Sequence, residues 1–267
     1  MLAALRRRLP HARLLYAADS AYAPYGERDA EYVLRRSRTL TRFLLSQGAR
    51  LIVVACNTAT ALAIAELRRE WPELPFVGIE PAIKPALAAR STGDGPVGVL
   101  ATPATLGSDK FRTLLQRHAG DAAVLLQPCP GLAEAIEIHG PQAPQTLRLL
   151  HELLLPLQRA GCTRIVLGCT HYPLLATAIR DAWGAIDVQL LDPADAVAAQ
   201  AARVAQGLPG LREDLSGSLP QPRQGPRSEL LQAWTNGDPT RLQRVATACG
   251  LDIGPVGALA EPAATPA

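Results

Sequence analysis

The sequence predicts an α/β protein made of two similar units, each with a mostly parallel sheet, and a cleft between them. Three observations carry this. Short β-type runs alternate along the chain with helical stretches, the pattern of strand–helix units around a parallel sheet. Several of those runs hold an unbroken apolar stretch (51–56, 97–101, 165–169), as in sheets covered by helices on both faces. One unit also occurs twice: "RLIVVACNTATAL" over 50–62 and "RIVLGCTHYPLL" over 164–175 each close an apolar strand on a cysteine and continue into a helix. Two Rossmann-like α/β domains of this kind place their ligand at the carboxyl ends of the strands.

The elements follow in order. The opening "MLAALRRRLPHARLL" is basic and apolar, lacks the long apolar core of a signal peptide, and reads as an amphipathic helix. A strand over 12–19 leads to a helix over 28–48 that ends at Gly48. Next come a strand over 50–56, a helix over 58–71 stopped by Pro72, a short strand over 75–80 and a helix to about Arg90. "STGDG" at 91–95 is a joint by composition, and the pattern then restarts. Strands over 96–102, 122–130, 164–170 and 186–193 are interleaved with helices over 105–119, 144–161, 172–183 and 194–208. A Pro/Gly-rich loop occupies 216–229. The domain division expected is 1–93 with about 210–257 for the first unit, 96–207 for the second, and a disordered tail over 258–267.

Composition narrows the function. At 267 residues, 48% hydrophobic and 19% charged, the chain suits a globular protein able to bury two cores. A net charge of +3 is too small to argue for nucleic acid or an anionic membrane surface, and no run of about 18 apolar residues spans a bilayer. The five cysteines are odd in number, scattered and without a CxxC pair, which fits reduced thiols in a cytoplasm. His11, His118, His139 and His151 show no metal-ligand spacing. Lys84 has no Gly-rich phosphate loop beside it, so no pyridoxal phosphate is implied.

Cys56 and Cys169 carry the chemistry. A lone buried cysteine at a strand end reads as a small hydrophobe. Two of them, one in each half and each followed by polar residues (Asn57, Thr58; Thr170, His171), read differently. Those polar residues can cap the following helices, whose free N–H groups suit a carboxylate. If the halves are related by an approximate two-fold, the thiols face each other across the cleft. One then removes a proton from one face of a carbon while the other delivers a proton to the opposite face. A thiol's ordinary pKa of about 8.5 needs only modest help to give thiolate near neutrality. Cys129, Cys162 and Cys249 are not followed by capping residues in this way and read as structural.

With "VVACNTATA" and "LGCTHYPLL" in hand, the chain resembles the cofactor-independent aspartate/glutamate racemases, and among them the glutamate racemases. "SAYAPYGER" (20–28), "GVLATPATLGSDKF" (98–111), "LDPADAVA" (191–198) and "WTNGDPTRL" (234–242) extend the resemblance over most of the chain. It implies Cys56 and Cys169 as the two catalytic acid/bases. Tyr25, Gly26, Asn57, Thr58, Thr170 and His171 would then contact glutamate, with Pro24 supporting the loop. It also implies that Glu137, in "PCPGLAEAIE", supports His171, whereas position alone makes Glu137 a solvated helix residue. No cofactor, metal, nucleic acid or membrane is implied. A homodimer is the candidate assembly, and D-glutamate for peptidoglycan the product.

The resemblance begins inside the family's first helix. The family opens with a strand ending in Asp-Ser-Gly, and Asp19-Ser20 here falls at the following strand's end. The expectation is that Met1 is an internal methionine of that helix. The competing expectation is a first sheet lacking an interior strand, with unpaired backbone groups beside it. Three other functions stay open on these residues: an aspartate racemase, a racemase-fold binding or regulatory protein, and a thiol-redox protein. The last needs the two thiols within the roughly 7 Å Cα limit for a disulfide.

Overall fold

The computed structural model describes residues 1–89, 95–120, 122–208 and 230–260. The joint expected at 91–95 falls almost wholly outside these residues, and the loop expected at 216–229 wholly so. Among the described residues all strand pairings are parallel. In the second half β4 (Val97–Ala101) is flanked by β5 (Val124–Pro128) and β6 (Arg164–Gly168), and β7 (Gln189–Leu191) adds to β6. Strand period decides which layer each residue joins. Leu100, Ile165 and Leu167 pack on one face with α8 (Leu132–His139), α9 (Pro144–Arg159) and α10 (Ala176–Trp183). Val97, Val99, Ala101 and Val166 pack on the other with α5 (Ile83–Ala88) and α7 (Asp109–His118). Every residue of β4 is buried, as the continuous apolar run requires.

The first half is built from two smaller sheets. β1 (Leu14–Ala18) pairs with β8 (Leu231–Thr235), which pairs with β9 (Val256–Ala258). β2 (Ile52–Val54) pairs with β3 (Phe76–Gly78). Among the described residues β1 and β2 do not pair with each other. Instead they line a cavity of about 1330 Å³. Its other walls are α1 (Leu2–Arg8), α2 (Ala30–Ser46) and α11 (Ala194–Gln206), and it opens at the strands' carboxyl ends onto Cys56 and Cys169.

Several boundaries differ from the expectation. The helix over 58–71 is two, α3 (Asn57–Leu62) and α4 (Ile64–Glu70), broken at Ala63, whose φ/ψ of −120°/−26° leave the helical region. The helix over 105–119 divides into α6 (Pro103–Leu106) and α7, because Ser108 Oγ accepts the Phe111 N–H and caps a new start. That over 172–183 begins as a 3₁₀ turn (Tyr172–Leu175) before α10. α8, β8 and β9 add elements that periodicity did not separate from loop. The expected tail begins too early, since Ala258 ends β9 and the Leu259 N–H donates to the Thr235 carbonyl; residues 261–267 lie outside the described residues.

α11 also departs from the division at 207. Its buried alanines Ala198, Ala201 and Ala202 meet Ala4, Leu5 and Leu9 of α1, and Val197 meets Val77 and Ile79 at β3. Small side chains let the two helices approach closely. The helix therefore follows the second sheet in sequence and packs on the first unit in space.

Candidate functional site

Cys56 lies two residues beyond the end of β2 and is the residue from which α3 starts. Its backbone is extended (φ −146°, ψ 123°) and its own Sγ accepts the Ala59 N–H at 3.4 Å. The sulfur is thus the helix cap, and the expected capping by Asn57 and Thr58 does not occur. Both residues line the cavity. Asn57 is 3% exposed, lines the cavity, and neither its amide oxygen nor its nitrogen has a protein partner. A buried amide left unpaired costs stability, so a position of this kind is understood through what it can bind. Thr58 Oγ1 meets Thr102 Oγ1 at 3.0 Å and Thr105 Oγ1 at 3.3 Å, joining α3 to the start of α6 across the two halves. Burial pushes the Cys56 thiol up to about 11, outweighing the Ala59 N–H, which stabilises its thiolate.

The second cysteine has a different setting. Cys169 ends the β6 run, Thr170 and His171 follow, and the Tyr172 N–H returns to the Cys169 carbonyl at 3.1 Å in the 3₁₀ turn. No α-helix starts at Thr170, so helix capping does not occur here either. His171 Nδ1 lies 3.6 Å from Cys169 Sγ, and its Nε2 lies 2.7 Å from Glu137 Oε1 on α8. Burial alone would pull this imidazole down. The sulfur and the carboxylate outweigh it and push His171 up to about 10. Glu137 is held below the usual carboxylate range, first by His171 and further by Arg241. Glu137 is therefore a hydrogen-bonded partner of His171, not a merely solvated helix residue.

The loop after β1 supplies a third wall. The Tyr25 hydroxyl donates to Asp19, and burial together with that carboxylate raises the phenol well above its ordinary value. Pro24 lines the cavity beside it, after a cis Ala23–Pro24 bond. Gly26 is required by space: a Cβ there would lie 2.8 Å from Thr102 Cγ2, and its carbonyl accepts the Ala104 N–H at 3.1 Å. Glu27 Oε1 accepts the Gly131 N–H at 2.8 Å, so this loop is fastened to the second half.

All eight residues expected at the substrate, with Glu137 and Pro24, line or border one cavity. Sequence reasoning missed the groups that hold them. Asp19 is gripped by Arg36 through Nε at 2.9 Å and Nη2 at 2.7 Å, and by Asn236 Nδ2 at 2.6 Å. Arg241 Nη2 faces Glu137 Oε2 at 3.5 Å. The usable signal for Asp19 was its place: it follows β1 as Cys56 follows β2. No local signal marked Arg36, Asn236 or Arg241. All five cysteines are free thiols.

The sequence pattern of the Asp/Glu/hydantoin racemases matches residues 1–201. The chain belongs to that family. Within the family it is 48% identical over 249 residues to the glutamate racemase of Ectopseudomonas mendocina, covering 92% of this chain and 88% of that one. It is 45% identical over 245 residues to the glutamate racemase of Pseudomonas aeruginosa PAO1, with 92% and 87% covered. Family members of known structure share the fold of two α/β domains. Escherichia coli glutamate racemase, crystallised with L-glutamate and the activator UDP-MurNAc-Ala, superposes with a TM-score of 0.79 at 25% identity over 98% of this chain and 93% of that one. Thermus thermophilus glutamate racemase, in complex with β-chloro-D-alanine, gives 0.70 at 32% identity over 96% and 90%.

Proposed function

We propose that the chain interconverts L- and D-glutamate without a cofactor, using Cys56 and Cys169 as its two acid/base groups. The observation that carries this reading is the pair of strand-ending thiols, one from each half, lining one cavity beside the unpartnered Asn57 amide. A thiolate on one side takes the Cα proton, and its electron pair stays on carbon, delocalised toward the carboxylate. The thiol on the other side gives its proton to the opposite face of that carbon. Each turnover leaves the two sulfurs with exchanged protonation, the state that accepts the opposite enantiomer, and solvent exchange restores the first.

The flanking residues divide the remaining work. Asn57, Thr58, Tyr25 and the Gly26 backbone hold the substrate's polar groups from the first half, and Thr170 and His171 from the second. His171 also hydrogen-bonds Cys169, with Glu137 behind it. Fixed dipoles of this kind stabilise the negative charge that develops on the substrate. Both 45–48% identical relatives are named for glutamate, which favours glutamate over aspartate. The product would serve peptidoglycan synthesis in the cytoplasm, and the assembly would be a homodimer. No helix of the described residues is long and apolar enough to cross a membrane.

The test is L-glutamate in D₂O with the purified protein, followed together by loss of the Cα proton in NMR and by optical rotation. Exchange with inversion, lost in Cys56→Ser and in Cys169→Ser, is the expected result. Exchange without inversion would leave only one thiol competent. Silence with both glutamate and aspartate would leave the binding-protein reading in its place.

A further inference from the structure

Glu137 and His171 belong to the second half, and Arg241 to α12 (Pro239–Ala248), which follows β8 in the first. Arg241 Nη2 is buried, points at Glu137 Oε2 from 3.5 Å, and makes no hydrogen bond there. That is an ion pair a few tenths of an ångström short of a hydrogen bond, drawn between elements of opposite halves. Glu137 uses its other oxygen, Oε1, to take the His171 Nε2 at 2.7 Å, and His171 turns Nδ1 toward Cys169 Sγ.

We propose that Arg241 is a positioning residue for the Cys169 side of the reaction. It fixes the Glu137 carboxylate from the opposite half, so that His171 is oriented on Cys169. The inference rests on the two-thiol reading above. It assigns a task to one arginine of the C-terminal helix, and it makes competence of the second thiol depend on the first half. Arg241 does not reach the reacting carbon in this account. It acts through Glu137, and a carboxylate held at one oxygen keeps less rotational freedom at the other.

The proposal is tested with Arg241→Gln, Arg241→Lys and Glu137→Gln, assayed with α-deuterated and ordinary glutamate of each hand. Weakening the partly exposed Arg241–Glu137 pair from the arginine side, in Arg241→Gln, should lower kcat/KM about fivefold. The two directions must fall together, since enantiomers have equal free energy. Their isotope effects should not stay together. If only the Cys169 step is slowed, the effect rises for the enantiomer whose proton Cys169 removes and falls for the other. Arg241→Gln should split them in the same sense as Glu137→Gln, and Arg241→Lys should split them less. Isotope effects that stay equal, or a rise in KM alone, would overturn the proposal, because a general structural or substrate-binding role gives those results.

A second reading needs no turnover. In the wild type the His171 Nε2–H should give a sharp downfield proton resonance in water, which broadens in Arg241→Gln. A resonance equally sharp in that variant, or absent from the wild type, would also overturn the proposal. If Arg241→Gln does not fold, Arg241→Lys carries both readings, with smaller changes expected and no change overturning. A wild type that racemises nothing would defeat the functional reading, and the spectra would still decide the positioning.

Discussion

His171 Nε2 lies 2.7 Å from Glu137 Oε1, so the histidine that follows the second cysteine is held by a carboxylate from a separate helix. Burial disfavours an imidazolium here, yet the carboxylate and the Cys169 sulfur prevail and push it up to about 10. The Glu137→Gln variant keeps the shape and removes the charge. It should lower kcat by about 10²-fold, the low end for a supported acid/base group, with little change in KM. Steady-state kinetics in both directions checks this.

The same shift has a consequence for stability. The ordinary pKa of histidine is about 6.5, and a folded value raised to about 10 means the native state binds the proton more tightly. The stabilisation is therefore complete below pH 6.5 and is lost as pH rises toward 10. The gap in unfolding free energy between wild type and His171→Gln should shrink by a few kcal/mol across that window. Urea denaturation at successive pH values measures it, and a gap that widens with pH would contradict the assignment.

Cys56 predicts a kinetic signature. With its thiol at about 11, alkylation by iodoacetamide should be slow at neutral pH. It should rise about tenfold per unit, since the thiolate is the reactive form, until it levels near 11. Peptide mapping by mass spectrometry separates Cys56 from the other four thiols. A plateau below pH 9 would show that burial does not control this sulfur.

Asn57 should behave as a residue kept for a ligand. Its amide is buried and unpartnered, so Asn57→Leu should hold or raise the melting temperature, by the equivalent of about 1 kcal/mol. KM should rise at least about tenfold in the same variant, since a hydrogen-bonding side chain of the site is lost. A large loss of stability would mean that the amide pairs with something in the resting protein.

The two halves should also differ in local stability. Every residue of β4 is buried and the strand pairs on both edges, whereas β1 and β2 each face the cavity of about 1330 Å³ along one edge. Native-state hydrogen exchange should protect residues 97–101 and 164–168 most, and amides of 14–18 and 52–54 on the cavity edge least. Equal protection in both sets would be inconsistent with this arrangement.

Much of this was legible locally. The strands over 97–101 and 164–168 announced themselves because both faces are buried, leaving an unbroken apolar run. The two cysteines were legible because each ends such a run at the edge where a parallel sheet meets its ligand. Helix breaks at Ala63 and Ser108 were not, since a single non-helical φ/ψ or a side-chain cap leaves the apolar period intact. β9 was missed because three residues, Val256–Ala258, carry too little pattern to separate strand from tail.

By itself the sequence determined that this is an α/β chain with two thiols at equivalent strand ends, for strand period and residue chemistry are local properties. Only the tertiary structure decided which distant groups meet around the cavity that those thiols line. Asp19 meets Asn236, Glu137 meets Arg241, and α11 leaves its own sheet to pack on α1. Each pair joins elements far apart in the chain, and no spacing encodes a contact that exists only after both halves have folded.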